Sequence, residues 1–272
     1  MGTFIGILLG AALIAIGIAS GQAPANVFWN WQGMAIVLGG TIASTLISYP
    51  LPEVFRGFRS FFVIFRSGAH NLVDAVNRLV SATRIFHREG VAATAQHAAG
   101  WKDLWIFKDG LQLMINGYTR EETKEILEDQ VRWQLSREHK QEGLFNRMAK
   151  IAPAFGMVGT LIGLINMLIT LQAHPQQVGE GLAIALTTTF YGLILANLLF
   201  SPIAAKIRER AENNVLLQTM QIETILMMYE KRNYVFVREK LAAYLNAGLR
   251  KKVQQTAGVQ AVSAPPNVKK AA

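Results

Sequence analysis

The chain has 272 residues, of which 51% are hydrophobic, and its formal net charge at pH 7 is +9. A mean hydropathy of +0.25 with a basic balance suits a membrane protein with basic flanks better than a soluble globular protein. The sequence contains no Cys, which excludes disulfides and thiolate metal sites.

The charged residues are confined to two parts of the chain. Residues 1–50 contain no Asp, Glu, Lys or Arg, and residues 151–205 contain only Glu180, so all 27 Lys and Arg lie in 51–150 and 206–272. The positive-inside rule therefore predicts that these two regions are cytoplasmic. Basic and acidic residues are interleaved in the first of them, which argues against nucleic-acid binding.

Two apolar segments in the first fifty residues are predicted to cross the bilayer. Residues 3–19 form an uncharged run of minimal spanning length, which we interpret as a retained span because it lacks the basic start of a signal peptide. Residues 32–49 form the second span, where Gly39 and Gly40 predict a close-packed patch.

The two charged regions are predicted to be helical. Residues 51–150 are expected to form a helical loop domain, in which Thr119 to Glu122 has the pattern of a capping box that opens a long helix. Residues 206–249 are expected to form an amphipathic helix. The small and polar composition of 250–272 predicts a disordered tail.

The third and fourth spans, within 151–205, carry Gly and Thr where a lipid-facing helix carries Leu. None of the four predicted spans has an ionisable side chain, although an ion path normally needs a group that changes charge. If the chain belongs to a conducting complex, a partner helix must therefore supply the carboxylate.

Neutral oxygens and small residues are what these two spans offer. The candidate ion-path residues are Gly159, Thr160, Thr188, Thr189 and Gly192. Hydroxyl and carbonyl oxygens are hard ligands that suit an alkali cation. In the alternative interpretation each Thr bonds back to its own helix and the glycines serve only packing.

Two prolines flank this pair of spans. Pro153 is predicted in the first turn of the third span, where the missing N–H would be unpaired in any case. Pro202 lies inside the continuous run from the fourth span into the tail helix. It is predicted to kink or weaken that helix and to act as a hinge.

Three stretches carry a resemblance to a known family. Residues 151–164 (IAPAFGMVGTLIGL) and 183–192 (AIALTTTFYG) resemble the paired third and fourth helices of the MotA/PomA/MotP flagellar stator family, within the MotA/TolQ/ExbB proton channel superfamily. Residues 108–117 (KDGLQLMING) are similar to its cytoplasmic loop.

The resemblance implies an all-α membrane protein with four transmembrane helices, a large helical cytoplasmic domain between the second and third, and a helical cytoplasmic tail. It implies the A subunit of a stator in the bacterial inner membrane, with both termini cytoplasmic. A MotB/PomB-type B subunit would supply the transmembrane Asp, and several copies of the chain, by family analogy five, would surround it. The cytoplasmic loop would push the rotor switch protein FliG.

The resemblance also assigns roles to residues. Thr160, Thr188 and Thr189 match positions where sodium-type members carry threonine, so the chain is expected to lie closest to PomA and MotP and to transport Na⁺ rather than H⁺, with no cofactor. Pro153 and Pro202 match positions that transmit the ion-driven change to the loop.

Rotor contact is expected at Arg88, Arg84 and Glu89. The segment His87 to Gly90 keeps only part of the family's basic pair, and its acidic position falls among Thr94, Ala95 and Gln96. This departure leaves open that other charges make the contact, or that the complex drives a non-flagellar machine.

Two other functions fit the sequence less well. A TolQ/ExbB-like energiser of envelope machinery is the nearest alternative, but that group typically has three spans. An enzyme is not expected, because none of the five histidines is paired as His-x-x-x-His and no phosphate-binding loop stands out.

Overall fold

A computed structural model describes residues 2–21, 24–66, 71–171 and 178–262. Every regular element within these residues is helical, which confirms the all-α prediction. The helices are α1 (Gly2–Ala19), α2 (Trp31–Ser48), α3 (Leu51–Arg66), α4 (Leu72–Ala98), α5 (Trp105–Ile115), α6 (Arg120–Leu171), α7 (Val178–Ile194), α8 (Ser201–Tyr229), α9 (Tyr234–Ala242) and α10 (Ala247–Val262), with a short 3₁₀ turn at Ala25–Phe28 and a π-helical segment at Leu195–Phe200.

Three of the described helices contain an apolar stretch long enough to cross a membrane: Trp31–Ser48, Arg120–Ile169 and Gly181–Tyr229. The first predicted span corresponds to the shorter apolar helix Ile5–Ala19. Between the third and fourth spans the sequence predicts a short outer turn at 172–179, of which residues 172–177 lie outside the described residues.

Helix α6 corrects one prediction. It is continuous over 52 residues, so Pro153 lies deep inside it and not in a first turn. The change from charged to apolar residues at 150 and 151 predicts a helix start, whereas the structure has this boundary inside one continuous helix. Pro153 lacks the N–H that would bond the carbonyl of Ala149, so the helix loses one hydrogen bond there.

The chain divides into two compact units, and the first consists of Met1–Gly68 and Ser136–Arg210. One cluster of buried apolar side chains in this unit joins α3, α6 and α8. Its large members are Val54, Leu144, Phe145, Met148, Phe200, Ile203 and Ile207. Helix α2 packs along α7 in the same unit.

The second unit consists of Ala69–Leu135 and Ala211–Ala272. Its core is built from α4, α5, α9 and the neighbouring parts of α6 and α8, with Leu79, Phe107 and Met228 fully buried. The buried Gln221 side chain accepts a hydrogen bond of 3.0 Å from the Phe107 N–H and so satisfies the start of α5.

The predicted capping box is confirmed. Glu122 Oε2 accepts from the N–H of Thr119 at 2.9 Å, and Thr119 Oγ1 accepts from the N–H of Glu122 at 3.3 Å. Two backbone donors at the start of α6 are thus satisfied reciprocally. At the other end of the chain, α10 makes residues 247–262 helical where disorder from 250 was expected, and 263–272 lie outside the described residues.

A pH-dependent contact in the second unit gives the first testable prediction. The Glu230 carboxylate accepts from Arg232 Nε and from Arg120 Nη2, each at 2.9 Å, and these arginines hold its pKa below the usual range. A carboxyl group with a lowered folded-state pKa stabilises the protein above its unfolded-state pKa, and this contribution is lost as pH falls through the folded-state value. We expect Glu230→Gln to lower the unfolding temperature at pH 7 but not at pH 3.

The matched control for this prediction is Glu125→Gln, because Glu125 is exposed and makes no ion pair with the residues that the structure describes. It should leave the unfolding temperature unchanged at both pH values. Equal behaviour of the two variants at pH 7 would show that the Glu230 contact does not stabilise the unit.

Candidate functional site

Helices α6 and α7 approach closely along a row of glycines. A methyl group on Gly159 would lie 2.8 Å from Thr188 Cβ, and one on Gly163 would lie 2.9 Å from Ala185 Cβ. On Gly156 it would lie 3.0 Å from the Cα of Thr189. Small residues at every turn of α6, among them Gly159 and Gly163 at a four-residue spacing, therefore allow the two backbones to touch.

Two of the three candidate threonines meet at this contact. Thr160 Oγ1 lies 3.1 Å from the carbonyl oxygen of Gly156 and 3.0 Å from that of Ala185. Thr189 Oγ1 lies 3.3 Å from the Gly156 carbonyl oxygen, and the two hydroxyls are hydrogen-bonded to each other. We call these two hydroxyls and two carbonyls the oxygen cluster.

The third candidate, Thr188, lies outside the oxygen cluster. It is fully buried, and its hydroxyl donates to the Ala185 carbonyl of its own helix at 2.7 Å. Its methyl carbon would lie 2.5 Å from a methyl group on Gly33, so the side chain fills the space between α7 and α2. Thr188 therefore packs between α7 and α2, and its hydroxyl shares the Ala185 carbonyl with Thr160. Its role in the ion path stays a prediction.

The chemistry of the oxygen cluster follows from its composition. Three hydroxyl hydrogens, including that of Thr188, serve these four oxygens, and each oxygen has two lone pairs, so the cluster has more lone pairs than hydroxyl donors. Thr160 and Thr189 are half-buried, whereas Met157 and Leu161 beside them on α6 are exposed at 60% each. The cluster offers neutral oxygen ligands at an open helix face, and it supplies no negative charge to balance a cation.

Gly192 lies against the proline of α6. A methyl group on Gly192 would lie 2.7 Å from the carbonyl oxygen of Ala152 and 3.0 Å from the Cα of Pro153. Both are backbone atoms, which cannot rotate away. The glycine thus brings α7 directly onto the stretch of α6 where Pro153 removes a hydrogen bond.

Pro202 lies two residues after the end of the π-helical segment Leu195–Phe200. The N–H of Ser201 donates to the carbonyl of Ala196, five residues earlier, as in a π-helix. The wider turn accommodates the proline ring, which would otherwise clash with the carbonyl four residues before it. Proline and π-helical turn together mark the expected irregular point of the helix.

Two contacts of α2, one with α7 and one with α6, are not predicted from the sequence. The Tyr191 hydroxyl accepts from the N–H of Asn30 at 2.8 Å and donates to the carbonyl of Phe28, which ties α7 to the start of α2. The Phe155 ring lies against Gly40, where a methyl group would be 2.2 Å from a ring carbon. An isolated Tyr or Phe in an apolar run carries no sequence signal for such pairings.

The predicted rotor residues lie on α4 in the second unit. Arg84 stacks over the Tyr234 ring at 4.7 Å, whereas Arg88 and Glu89 are exposed and make no ion pair with other described residues. They precede Gly90, whose φ of +84° breaks the helix at a conformation that favours glycine. His87 Nε2 lies 2.7 Å from the Arg232 carbonyl oxygen and anchors the preceding turn to the residues before α9.

Comparison with known proteins finds a matching family model and relatives that are similar in sequence over most of their length. The family model described as the MotA/TolQ/ExbB proton channel family matches residues 102–220. The chain is 33% identical over 233 residues to the uncharacterised protein YtxD of Bacillus subtilis, with 85% of each chain covered. It is 31% identical to motility protein A of Aquifex aeolicus, with 93% of this chain and 99% of the relative covered.

A solved structure shares the fold. The flagellar MotAB stator complex from Bacillus subtilis matches with a TM-score of 0.83 at 24% identity, with 92% of this chain and 97% of that chain covered. Neither of the two relatives carries a sodium-type name, so closeness to PomA or MotP stays a prediction. Identity above 30% over nearly the whole length of a motility protein A shows that the chain belongs to the MotA/TolQ/ExbB proton channel family.

Proposed function

We propose that the chain is the A subunit of an ion-driven flagellar stator and couples inward flow of a cation, sodium rather than protons, to torque on the rotor. The observation that carries the proposal is the oxygen cluster of Thr160 and Thr189, which offers ligands for an alkali cation on an open helix face. Similarity to motility protein A supports the stator assignment. The family is a channel family and not an enzyme class.

The proposed complex requires a B subunit. Residues 1–50 hold no acid, and residues 151–205 hold only Glu180 at the start of α7, so a MotB-type helix would contribute the Asp that changes charge. The shared fold with a MotAB stator complex supports this partner. In this proposal the chain spans the inner membrane four times, has both termini in the cytoplasm, and forms a pentamer around the B helices.

The proposed ion step is an exchange of ligands. A sodium ion that leaves bulk water needs oxygen atoms in place of its hydration shell, and the oxygen cluster supplies four of them. The negative charge comes from the B subunit. Helix α7 then passes the change to Pro153 through Gly192, and the π-helical segment before Pro202 lets α8 bend. Arg88, Arg84 and Glu89 are the proposed contacts to FliG.

The test of this function is the rotation speed of tethered cells that lack their own stators and carry this chain with its cognate B subunit. Sodium is varied at fixed pH and ionic strength. Speed that rises and saturates with sodium supports the proposal. Rotation that does not depend on sodium would be consistent with the stator assignment but would indicate protons as the coupling ion. Thr160 and Thr189 would then serve only in helix packing.

A TolQ/ExbB-like energiser is the second candidate. It is favoured by the finding that three described helices meet the length and hydropathy of a membrane span while Ile5–Ala19 is shorter. The two candidates differ in the position of the N-terminus, because four spans put it on the same side as the charged regions. A reporter fused before residue 2 and active only in the cytoplasm would support the stator proposal.

Pro202→Ala gives a prediction about coupling. Alanine at position 202 has the backbone N–H that proline lacks, and it has no ring to clash with the carbonyl four residues earlier. The π-helical segment should therefore relax to a regular α-helix. We expect sodium influx to continue while torque falls at least about fivefold. The measurement is motor speed beside sodium uptake in the same cells, and full torque at normal influx would leave Pro202 as a packing residue.

A further inference from the structure

Helix α3 has one face packed against the protein. Val54 is only 4% exposed and belongs to the core cluster with Leu144 and Phe145 of α6. A methyl group on Gly57 would lie 3.4 Å from a Leu144 methyl carbon, and the Phe58 ring meets the Phe145 ring edge-on at 6.5 Å. This face fixes how α3 lies along α6.

The neighbouring face of α3 is apolar and uncovered. Leu51 and Phe55 are exposed at 58% and 71%, and Phe58, at the border with the packed face, is exposed at 38%. At 100° per residue these three side chains share one arc, and Arg59 follows directly beside it. Arg56 lies further round in the same direction and is also exposed, so cations border one side of the apolar strip and the packed face borders the other.

Basic residues outnumber acidic residues in α3. Its sixteen residues contain three arginines and a single acid, Glu53, in the first turn. Lys140 lies 4.0 Å from that acid. Among the described residues, Arg56 and Arg59 have no ion-pair partner, so their charge is available to an anionic surface.

The neighbours of α3 show where it lies relative to the apolar, membrane-spanning parts of α2 and α6. It begins three residues after Ser48, the last residue of α2, and α2 is apolar enough to span the membrane. Arg147 Nε donates to Ser48 Oγ at the end of α2 at 3.0 Å. Arg147 precedes the uncharged part of α6, which starts at residue 151. Helix α3 therefore lies beside the boundary between charged and apolar protein.

We propose that α3 lies in the surface of the membrane, with Leu51, Phe55 and Phe58 among the acyl chains and Arg56 and Arg59 bound to the headgroups of anionic phospholipids. An amphipathic helix with aromatic residues on one side and arginines beside them has the composition of an interfacial helix. Each arginine near an anionic surface favours binding by about fivefold. The first sixteen residues of the charged loop thus belong to the membrane surface.

The absence of Cys from the sequence allows a direct test of depth. A spin label on Phe55→Cys of the full chain in phosphatidylglycerol/phosphatidylcholine bilayers should collide more with oxygen than with a water-soluble nickel chelate. The matched control is Trp133→Cys, which replaces another exposed aromatic residue, 64% exposed, in the second unit. Its label should show the opposite preference.

Two outcomes would overturn the placement in the membrane. A label at position 55 that favours the nickel chelate as strongly as the label at 133 would leave α3 in water. A label shielded from both reagents, with broadening from a neighbouring spin, would show that a second copy of the chain covers the strip.

Lipid charge is tested at the same position. A fluorescent label on Phe55→Cys should be quenched severalfold more by brominated phosphatidylglycerol than by brominated phosphatidylcholine at equal total bromine. The added double substitution Arg56→Gln/Arg59→Gln should bring this ratio down to about one, while Lys124→Gln/Arg132→Gln in the second unit should not change it. Equal quenching by both lipids in the parent variant would overturn the recognition of anionic headgroups.

Discussion

Gly192→Ala is expected to stop the motor and to destabilise the first unit. The new methyl group would lie 2.7 Å from the Ala152 carbonyl oxygen and 3.0 Å from the Pro153 Cα, so α7 must move away from α6. Overpacking of this kind costs about 1–3 kcal/mol. We expect a lower unfolding temperature of the purified protein and loss of rotation in tethered cells.

The matched control for Gly192→Ala is Gly39→Ala. Gly39 also lies inside an apolar helix, but a methyl group there has no heavy atom within 4 Å among the described residues. This variant should rotate at the normal speed and unfold at the normal temperature. If Gly192→Ala behaved in the same way, α6 and α7 would be further apart than the structure has them.

Gly39 and Gly40 of α2 show what the sequence could and could not predict. Composition placed Gly39 and Gly40 in a close-packed patch, and small residues do favour helix contact. Only Gly40 makes the contact, because the Phe155 ring lies against it while Gly39 faces open space. Sequence identifies residues that permit close approach, but the rotation of each helix decides which of them is used.

Local patterns were the most predictable features. The Thr119 to Glu122 capping box depends on residues three apart in the chain, and the structure contains both of its hydrogen bonds. The start of the third span was less predictable, because the change from charged to apolar residues occurs inside α6. Charge reports the surroundings of a helix and carries no information about where its hydrogen bonding begins.

The candidate site was predicted in part. Thr160 and Thr189 meet because they lie on facing sides of α6 and α7, whereas Thr188 is one residue away and points about 100° round its helix. The sequence run Thr187-Thr188-Thr189 gives no reason to prefer one hydroxyl over the next. The choice follows from the glycines of α6, which set the distance and rotation of α7.

Thr160→Ala is expected to weaken sodium-driven rotation far more than assembly. The substitution removes the hydroxyl that touches Gly156, Ala185 and Thr189 and so takes one oxygen from the cluster. A hydrogen bond or ligand contact to a charged group contributes about 1.5 kcal/mol or more, which corresponds to about a tenfold change in affinity. We expect the sodium concentration that gives half-maximal speed to rise about tenfold.

Two variants separate an ion ligand from a packing residue. Thr160→Ser keeps the hydroxyl and should restore the normal sodium dependence. Thr187→Ala removes the same atoms from α7. Among the described residues, the Thr187 hydroxyl bonds only to the Ala183 and Ile184 carbonyls of its own helix, at 3.0 Å each, so sodium dependence should be unchanged. A normal sodium response in Thr160→Ala, or an equal shift in Thr187→Ala, would remove the oxygen cluster from the ion path, because the lost hydroxyl would then matter only for helix packing.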